Sequence, residues 1–392
     1  MGGFALKTGR ALLAAVTLAA PAAAEIAVSV HYLQLMVEAP PTLSNLDPVP
    51  EDLGIAGATV GLKDNATTGR FMGHNYELTV TRVEPGGDFL AAARAALTET
   101  SLIVLDAPAA AQLAIADLPE AAGALLFNAS APDRALRDAD CRANLLHTLP
   151  SDAMRTDALA QFFVKKRWDD LALITGTNPA DQSYAADLKA SLAKFGLDVN
   201  SEKTWAFDAD MRRNAAQEVP LFTQDLRDHD VLLIADEIHD FGRYVLYNTW
   251  DPRPVAGSEG LTATAWSPVV EQWGAAQLQS RFEDAADRGM APKDYAAWAA
   301  LRAIGEAVTR TGSGDTATLR AYILGDAFEL AGFKGRPLNF RPWNGQLRQP
   351  IPIVHPRALV AQAPLEGFLH QRTELDTLGL DEPESHCTAF SK

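Results

Sequence analysis

The sequence predicts a two-lobed α/β protein in which each lobe is a parallel sheet flanked by helices, with the chain crossing between lobes three times. Short apolar, β-rich runs alternate with amphipathic helical stretches, the rhythm of a parallel sheet covered on both faces. The rhythm halts and restarts after His147-Thr148-Leu149-Pro150-Ser151, where an extended stretch runs into a helix. The 392 residues are too many for one simple core and enough for two domains of ordinary size.

The chain opens with Lys7 and Arg10, an apolar run from Ala11 to Ala20, then Pro21 and Ala22-Ala23-Ala24, the order of a cleavable export signal. About twenty apolar residues are needed to span a bilayer, twice the run present here, so residues 1–24 are expected to be removed and Glu25 to begin a mature protein without a membrane anchor. No cysteine follows the expected cleavage site to carry a lipid. In a bacterium the product would reside in the periplasm.

Ile26–Leu33 reads as a strand, Ile55–Thr68 as a helix, Tyr76–Val83 as a strand and Phe89–Thr98 as an Ala-rich helix. Ser101–Leu105 is a buried strand ending at Asp106, Ala109–Leu118 a helix, and Ala124–Phe127 a strand ending at Asn128. After the crossover, Asp152–Lys166 is a helix capped by Ser151 or Asp152. Asp170–Ile174 is a strand, Ser183–Phe195 a helix, Lys203–Phe207 a strand, Ala216–Arg227 a helix, Val231–Ala235 a strand and Ile238–Tyr247 a helix. From about Gly260 long helices dominate, Val270–Arg288 and Asp294–Arg310, then Ala317–Leu324, and Pro337–Val354 is extended. If the late helices return to the first lobe and the extended segment to the second, lobe I is 25–148 with 262–335 and lobe II is 149–261 with 336–392.

Ligands of open parallel sheets sit beyond the carboxyl ends of the strands. Gln34, Asp106, Asn128 and Thr175, at or just past such ends, and Ser130 close behind Asn128 are therefore candidate cleft residues. The formal charge of −16, more negative still without Lys7 and Arg10, argues against nucleic acid or anionic membrane as main partner. An anionic small ligand then requires local arginines. The two cysteines, Cys141 and Cys387, match no metal-finger or redox spacing. An oxidising compartment permits one disulfide tying down the C-terminal tail; two independent residues are the alternative.

Enzyme signatures are missing: there is no Gly-x-Ser-x-Gly elbow, Walker loop or His-Glu-x-x-His helix. Gly312-Ser313-Gly314-Asp315 follows a helix instead of a strand, so it reads as a helix stop and a new cap. Asp236-Glu237-Ile238-His239-Asp240 is acidic, but acids after a strand also favour the positive end of the next helix, and no metal site is expected. A non-enzymatic binding role is the expectation.

The order of elements resembles the type I periplasmic binding proteins, the group containing the leucine/isoleucine/valine-binding proteins of ABC transporters. Their crossover is matched by His147-Thr148-Leu149-Pro150-Ser151, and a later one by Phe333-Lys334-Gly335 and Phe340-Arg341-Pro342-Trp343-Asn344-Gly345. Within that group, several stretches are similar to the subfamily found with pyrroloquinoline quinone (PQQ)-dependent alcohol dehydrogenase systems. They include Asp64-Asn65-Ala66-Thr67-Thr68-Gly69-Arg70-Phe71, Cys141-Arg142-Ala143-Asn144-Leu145-Leu146-His147-Thr148 and Gly367-Phe368-Leu369-His370-Gln371-Arg372. The resemblance implies a monomer that captures a ligand by lobe closure for an ABC permease or a PQQ-dependent dehydrogenase system. A ligand-sensing module of the same fold is the alternative. It names PQQ as first candidate ligand, with a small alcohol-derived acid or an amino acid as alternatives, and places Tyr184 and Asp236 in the cleft. PQQ is a flat trianion, so aromatic faces and Arg forks are expected around it: Trp205 and Trp266 for stacking, Arg212 and Arg213 for carboxylates.

Overall fold

The computed structural model describes residues 1–2, 25–38, 49–205 and 211–390, the side chains of 211–213 excepted. From residue 3 onward the expected export signal lies outside the described residues, and no helix among those described is long and apolar enough to cross a membrane.

The first half of the chain runs β1 (Ile26–Leu35), α1 (Ile55–Met72), β2 (His74–Val83), α2 (Phe89–Glu99), β3 (Leu102–Asp106), α3 (Ala109–Ala116), β4 (Leu125–Asn128) and β5 (Leu145–His147). These strands form one parallel sheet in the order β2-β1-β3-β4-β5. The stretch expected only as an extended crossover thus begins as a fifth strand, His147 pairing with Asn128. Next come α4 (Asp152–Lys166), β6 (Asp170–Thr175), α5 (Pro179–Lys194), β7 (Asp198–Thr204), α6 (Met211–Thr223), β8 (Val231–Ala235), α7 (Gly242–Val245) and β9 (Val255–Gly257), giving a second parallel sheet ordered β7-β6-β8-β9. Ser151 is the cap of α4, its side chain accepting from the Met154 N–H at 3.2 Å.

The remaining elements are β10 (Thr262–Ala263), α8 (Ala275–Ala286), α9 (Pro292–Thr311), α10 (Thr316–Ile323), β11 (Leu330–Ala331), β12 (Pro337–Phe340), β13 (Leu347–Arg348), β14 (Ile351–His355) and β15 (Ala358–Ala363). Gly312 ends α9 in the left-handed conformation and Asp315 caps α10, accepting from the Thr318 N–H at 2.8 Å. Helix α9 returns to the first lobe and lies so close to α1 that only glycine fits between them. A Cβ on Gly57 would stand 2.0 Å from the Asp294 carbonyl oxygen, and one on Gly305 would stand 2.1 Å from the Asn65 side chain.

The buried apolar clusters show where the chain passes between lobes. One core holds Leu146, Trp266, Phe340 and Leu347; another holds Met154, Ala263 and Ile351. The passages therefore fall between 146 and 154, 263 and 266, and 347 and 351. Packing on the first core runs past the expected 335/336 boundary because β12 and β13 pair with each other and β11 there; β14 pairs with β10 and β15, with Ile351 and Ile353 on the second core and Val354 on the first. Side chains knit the passages together: Gln349 donates to the Thr148 carbonyl at 2.9 Å and Gln346 to that of Leu149 at 3.1 Å. Arg137, buried, donates to Gln346 at 2.9 Å and to Leu149 at 3.0 Å, and burial pushes its guanidinium down to about 10.

Candidate functional site

In the first sheet β1 lies between β2 and β3, so connections leave its carboxyl edge in opposite directions at the β1/β3 boundary and open a crevice there. A cavity of about 530 Å³ occupies it. Gln34 and Leu35 from β1, Asp106 at the end of β3 with Ala107 after it, Ser130 after β4, Arg82 from β2, Lys293 from α9 and residues 49–51 line it, all of them from the first lobe and its loops.

Asp106 is the buried centre of this wall. Its carboxylate accepts from the Tyr32 hydroxyl at 3.0 Å, the Gln34 amide at 2.8 Å and the Lys293 ammonium at 3.0 Å. Burial and the neighbouring Asp106 push the Tyr32 hydroxyl well above its usual range, which keeps it a donor. Arg82 in turn donates to Gln34 at 3.0 Å and is in no ion pair among the described residues, and neither are Glu51 and Asp133 across the cavity. Helix α3 points its first turn at the same space: Ala109 lines the cavity, and no side chain among the described residues caps the helix. The N–H groups of Ala111 and Gln112 bond the Pro108 carbonyl, while those of Ala109 and Ala110 have no partner among the described residues, and free N–H groups at a helix start favour nearby negative charge.

Other expected residues have structural roles here. Asn128 is buried, accepting from the N–H groups of Ser130 (3.1 Å) and Ala131 (2.8 Å) and donating to the Ala131 carbonyl at 2.8 Å, which shapes the loop that carries Ser130. Ser130 lines the cavity while its hydroxyl accepts from the Ala107 N–H at 2.9 Å. On the second lobe, Asp236 is fully buried and accepts from the N–H groups of Asp240 (2.9 Å), Phe241 (2.9 Å) and Gly242 (2.7 Å). That clamp is why the expected helix Ile238–Tyr247 shrinks to α7: the backbone is held in a turn, with His239 at φ 56°.

Thr175 and Tyr184 are buried and their hydroxyls have no hydrogen-bond partner among the described residues. Tyr184 lies under Arg155, 4.8 Å from the ring centre, and Arg155 grips Glu237 with two N–H groups at 2.7 and 3.1 Å and Asp152 with one at 2.7 Å. Burial, with Glu237 adding to it, pushes Asp152 up to about 7 against the opposing pull of Arg155. Among the described residues no group of three or more His, Cys, Asp or Glu side chains is arranged to hold a metal ion.

The expected stacking pair does not reach the cavity. Trp205 is 3% exposed and stacked on Phe241 at 4.7 Å, in the core on one face of the second sheet. Trp266 is also 3% exposed, stacked on Tyr295 at 4.9 Å and donating to Gln279 at 3.0 Å in the first-lobe core. Each ring satisfies its faces inside a core because each follows a chain passage or strand end that is itself packed over. Arg212 and Arg213 stand in the first turn of α6, and their side chains lie outside the described residues. The same end-of-strand rule that selected Gln34 also points to Arg82, on β2. Lys293 carries no such signal, since it meets Asp106 only because α9 folds back across 187 positions. Cys141 and Cys387 are joined, with their Cα atoms 5.6 Å apart.

No curated protein sequence matches the chain. Solved structures of similar fold include a branched-chain amino acid ABC transporter periplasmic ligand-binding protein from Burkholderia xenovorans, 14% identical with a TM-score of 0.70, covering 93% of this chain and 100% of the other. A leucine-, isoleucine-, valine-, threonine- and alanine-binding protein from Brucella ovis in a closed conformation is 15% identical with a TM-score of 0.66, over 93% of this chain and 98% of its own. An R. palustris ABC transporter solute-binding protein in complex with benzoate is 14% identical with a TM-score of 0.61, over 93% and 99%. Residues 57–213 match the sequence profile of a family described as periplasmic binding protein. Backbone architecture and sequence profile agree: the chain has the type I periplasmic binding protein fold, and residues 57–213 carry the signature of the periplasmic binding protein family.

Proposed function

We propose that this protein is the periplasmic solute-capture component of an ABC transporter, taking a small carboxylate-bearing solute at the carboxyl edge of the first sheet and holding it as the second lobe closes. The observation that carries the reading is the uncapped start of α3 facing a cavity of about 530 Å³ with Arg82 on its wall. Oriented N–H groups and a guanidinium outside any ion pair among the described residues select an anion without a catalytic group. The solutes named with similar structures, leucine and benzoate, both bear a carboxylate. Binding performs no chemistry on the solute; closure supplies the second wall, and the closed form is what a permease recognises.

The sequence resemblance supports a link to a PQQ-dependent alcohol dehydrogenase system. Within that link a small alcohol-derived acid suits the cavity better than PQQ, because among the described residues no aromatic side chain lines it and both candidate tryptophans are spent in cores. An amino acid is the second reading, favoured by Glu51 and Asp133, which leave carboxylates for an ammonium group. Native mass spectrometry of protein taken from its own periplasm weighs a retained solute directly. Calorimetric titration with short-chain carboxylic acids, benzoate, leucine and PQQ then ranks the classes. Saturable binding of an acid or amino acid is expected; retention of an uncharged solute with no binding of any carboxylate would overturn the reading.

A further inference from the structure

After β15 the chain packs on the second lobe, yet its last described residues, up to Phe390, lie on the first. Leu378 is part of the second-lobe core. Gly379 donates its N–H to Asp157 of α4 at 2.7 Å, and Lys194 of α5 donates to the Gly379 carbonyl at 2.9 Å and pairs with Glu384 at 3.1 Å. Arg341, between β12 and β13 on the first-lobe side, also donates to the carbonyls of Leu378 at 2.7 Å and Leu380 at 3.1 Å, so this stretch is held from both lobes, and the residues from Ser385 onward are anchored on the first. Ser385 donates to the Arg137 carbonyl at 3.0 Å, the His386 N–H to Asp138 at 2.5 Å, and Cys387 is bonded to Cys141, 246 positions away. Phe390 packs on the first-lobe core.

We infer that residues 378–390 form a strap, a fourth and covalently closed connection between the lobes that limits how far they part. The reach of the chain sets the limit. Consecutive Cα atoms are 3.80 Å apart, so while Glu384 stays on Lys194 the seam between the lobes has almost no slack at this point. Once that partly exposed pair and the Arg341 bonds to Leu378 and Leu380 let go, the chain between Gly379 and Ser385 can extend to roughly 20 Å at about 3.3–3.6 Å per residue. Beyond that, further separation requires breaking the disulfide or unseating Leu378. The strap roofs a crevice of about 320 Å³ in which Arg134 of the first lobe faces Asp187 of the second at 3.9 Å, so lobe rotation must alter this seam as it alters the cleft. The three passages guide the rotation; the strap bounds it.

The inference rests on the lobe movement in the proposed function but on no particular solute, and it is tested without one. Fluorescent non-natural amino acids at Arg94 and Lys189, exposed on the first and second lobes, report the interlobe distance by single-molecule energy transfer in the full chain. The solute-free wild type is expected to give a narrow distribution. Replacing both cysteines, Cys141→Ser with Cys387→Ser, is expected to broaden it and shift it by several ångströms. Glu384→Gln, which keeps the disulfide, is expected to broaden it less. Should the serine pair fail to fold, the folded wild type with its disulfide reduced takes its place. Unchanged distributions in Glu384→Gln and in the folded, unbridged protein would overturn the strap. A broadened solute-free distribution that no carboxylate narrows would leave the strap standing and count against the solute reading.

Discussion

Replacing Asp187 by asparagine is expected to stabilise the protein at neutral pH. Asp187 is only 8% exposed, its carboxylate accepts no hydrogen bond among the described residues, and its nearest cation, Arg134, stands 3.9 Å away. Burial, then the charges of Asp157 and Asp133, push it from 3.8 up to about 6 against the pull of Arg134. The folded state therefore holds this proton more tightly than the unfolded chain. Between about pH 4 and 6 the folded protein binds more protons, so stability falls as pH rises through that window and the penalty is fully present above it. A shift of roughly two units corresponds to about 3 kcal/mol at most, and Asp187→Asn gives up the weak attraction to Arg134, leaving a gain of about 1–2 kcal/mol at pH 7.5. Urea unfolding of both proteins from pH 4 to pH 8 checks it. The two curves should converge near pH 4, where the wild-type carboxyl is protonated, and separate as pH rises. Equal stability at every pH, or a variant that is less stable at pH 7.5, would refute the electrostatic argument.

Arg82→Ala should weaken binding of a carboxylate solute about tenfold or more, the cost of one charge-assisted hydrogen bond, with little change in melting temperature, as calorimetric titration and thermal melting together would show. Gly57→Val should unfold or severely destabilise the first lobe, by about 4 kcal/mol or more, because the new Cβ meets the Asp294 carbonyl at 2.0 Å and backbone has nowhere to move; soluble yield and melting temperature measure it. Asp236→Ala removes the acceptor of three N–H groups, Asp240, Phe241 and Gly242, at about 1–3 kcal/mol for each buried donor left unpaired. Hydrogen exchange at Phe241 and Gly242 should accelerate while exchange in the first sheet stays as it was.

Reading strands and helices from local pattern succeeds here where the information is local. Alternation of short apolar runs with amphipathic stretches reports burial within a few residues of each position, and it is enough for two parallel sheets and their flanking helices. Ser151 and Asp315 are legible as caps because a cap serves N–H groups three residues ahead. Gln34 and Asp106 are legible as cavity residues because the carboxyl ends of parallel strands share one edge. Asp236 satisfies the same end-of-strand rule, yet its carboxylate is consumed by the turn that follows, a competition between a backbone and a ligand that no spacing reveals.

The remainder depends on partners far apart in the chain. A tryptophan near a strand end looks alike whether its faces meet solvent or another ring; Phe241 covers Trp205 and Tyr295 covers Trp266 only once distant elements have packed. Lys293 reaches Asp106, and Arg155 neutralises Glu237, through helices positioned by whole-lobe packing. The third passage moves to 347–351 because strand pairing among β11, β12 and β13 outweighs the extended, Pro- and Gly-rich look of that segment. The end of the chain crosses back to the first lobe because Cys387 meets Cys141 in space, an encounter over 246 positions that local periodicity cannot encode. Propensity and periodicity act over a turn or a strand, whereas charge compensation, ring burial and cross-linking are settled by which surfaces the folded chain presses together.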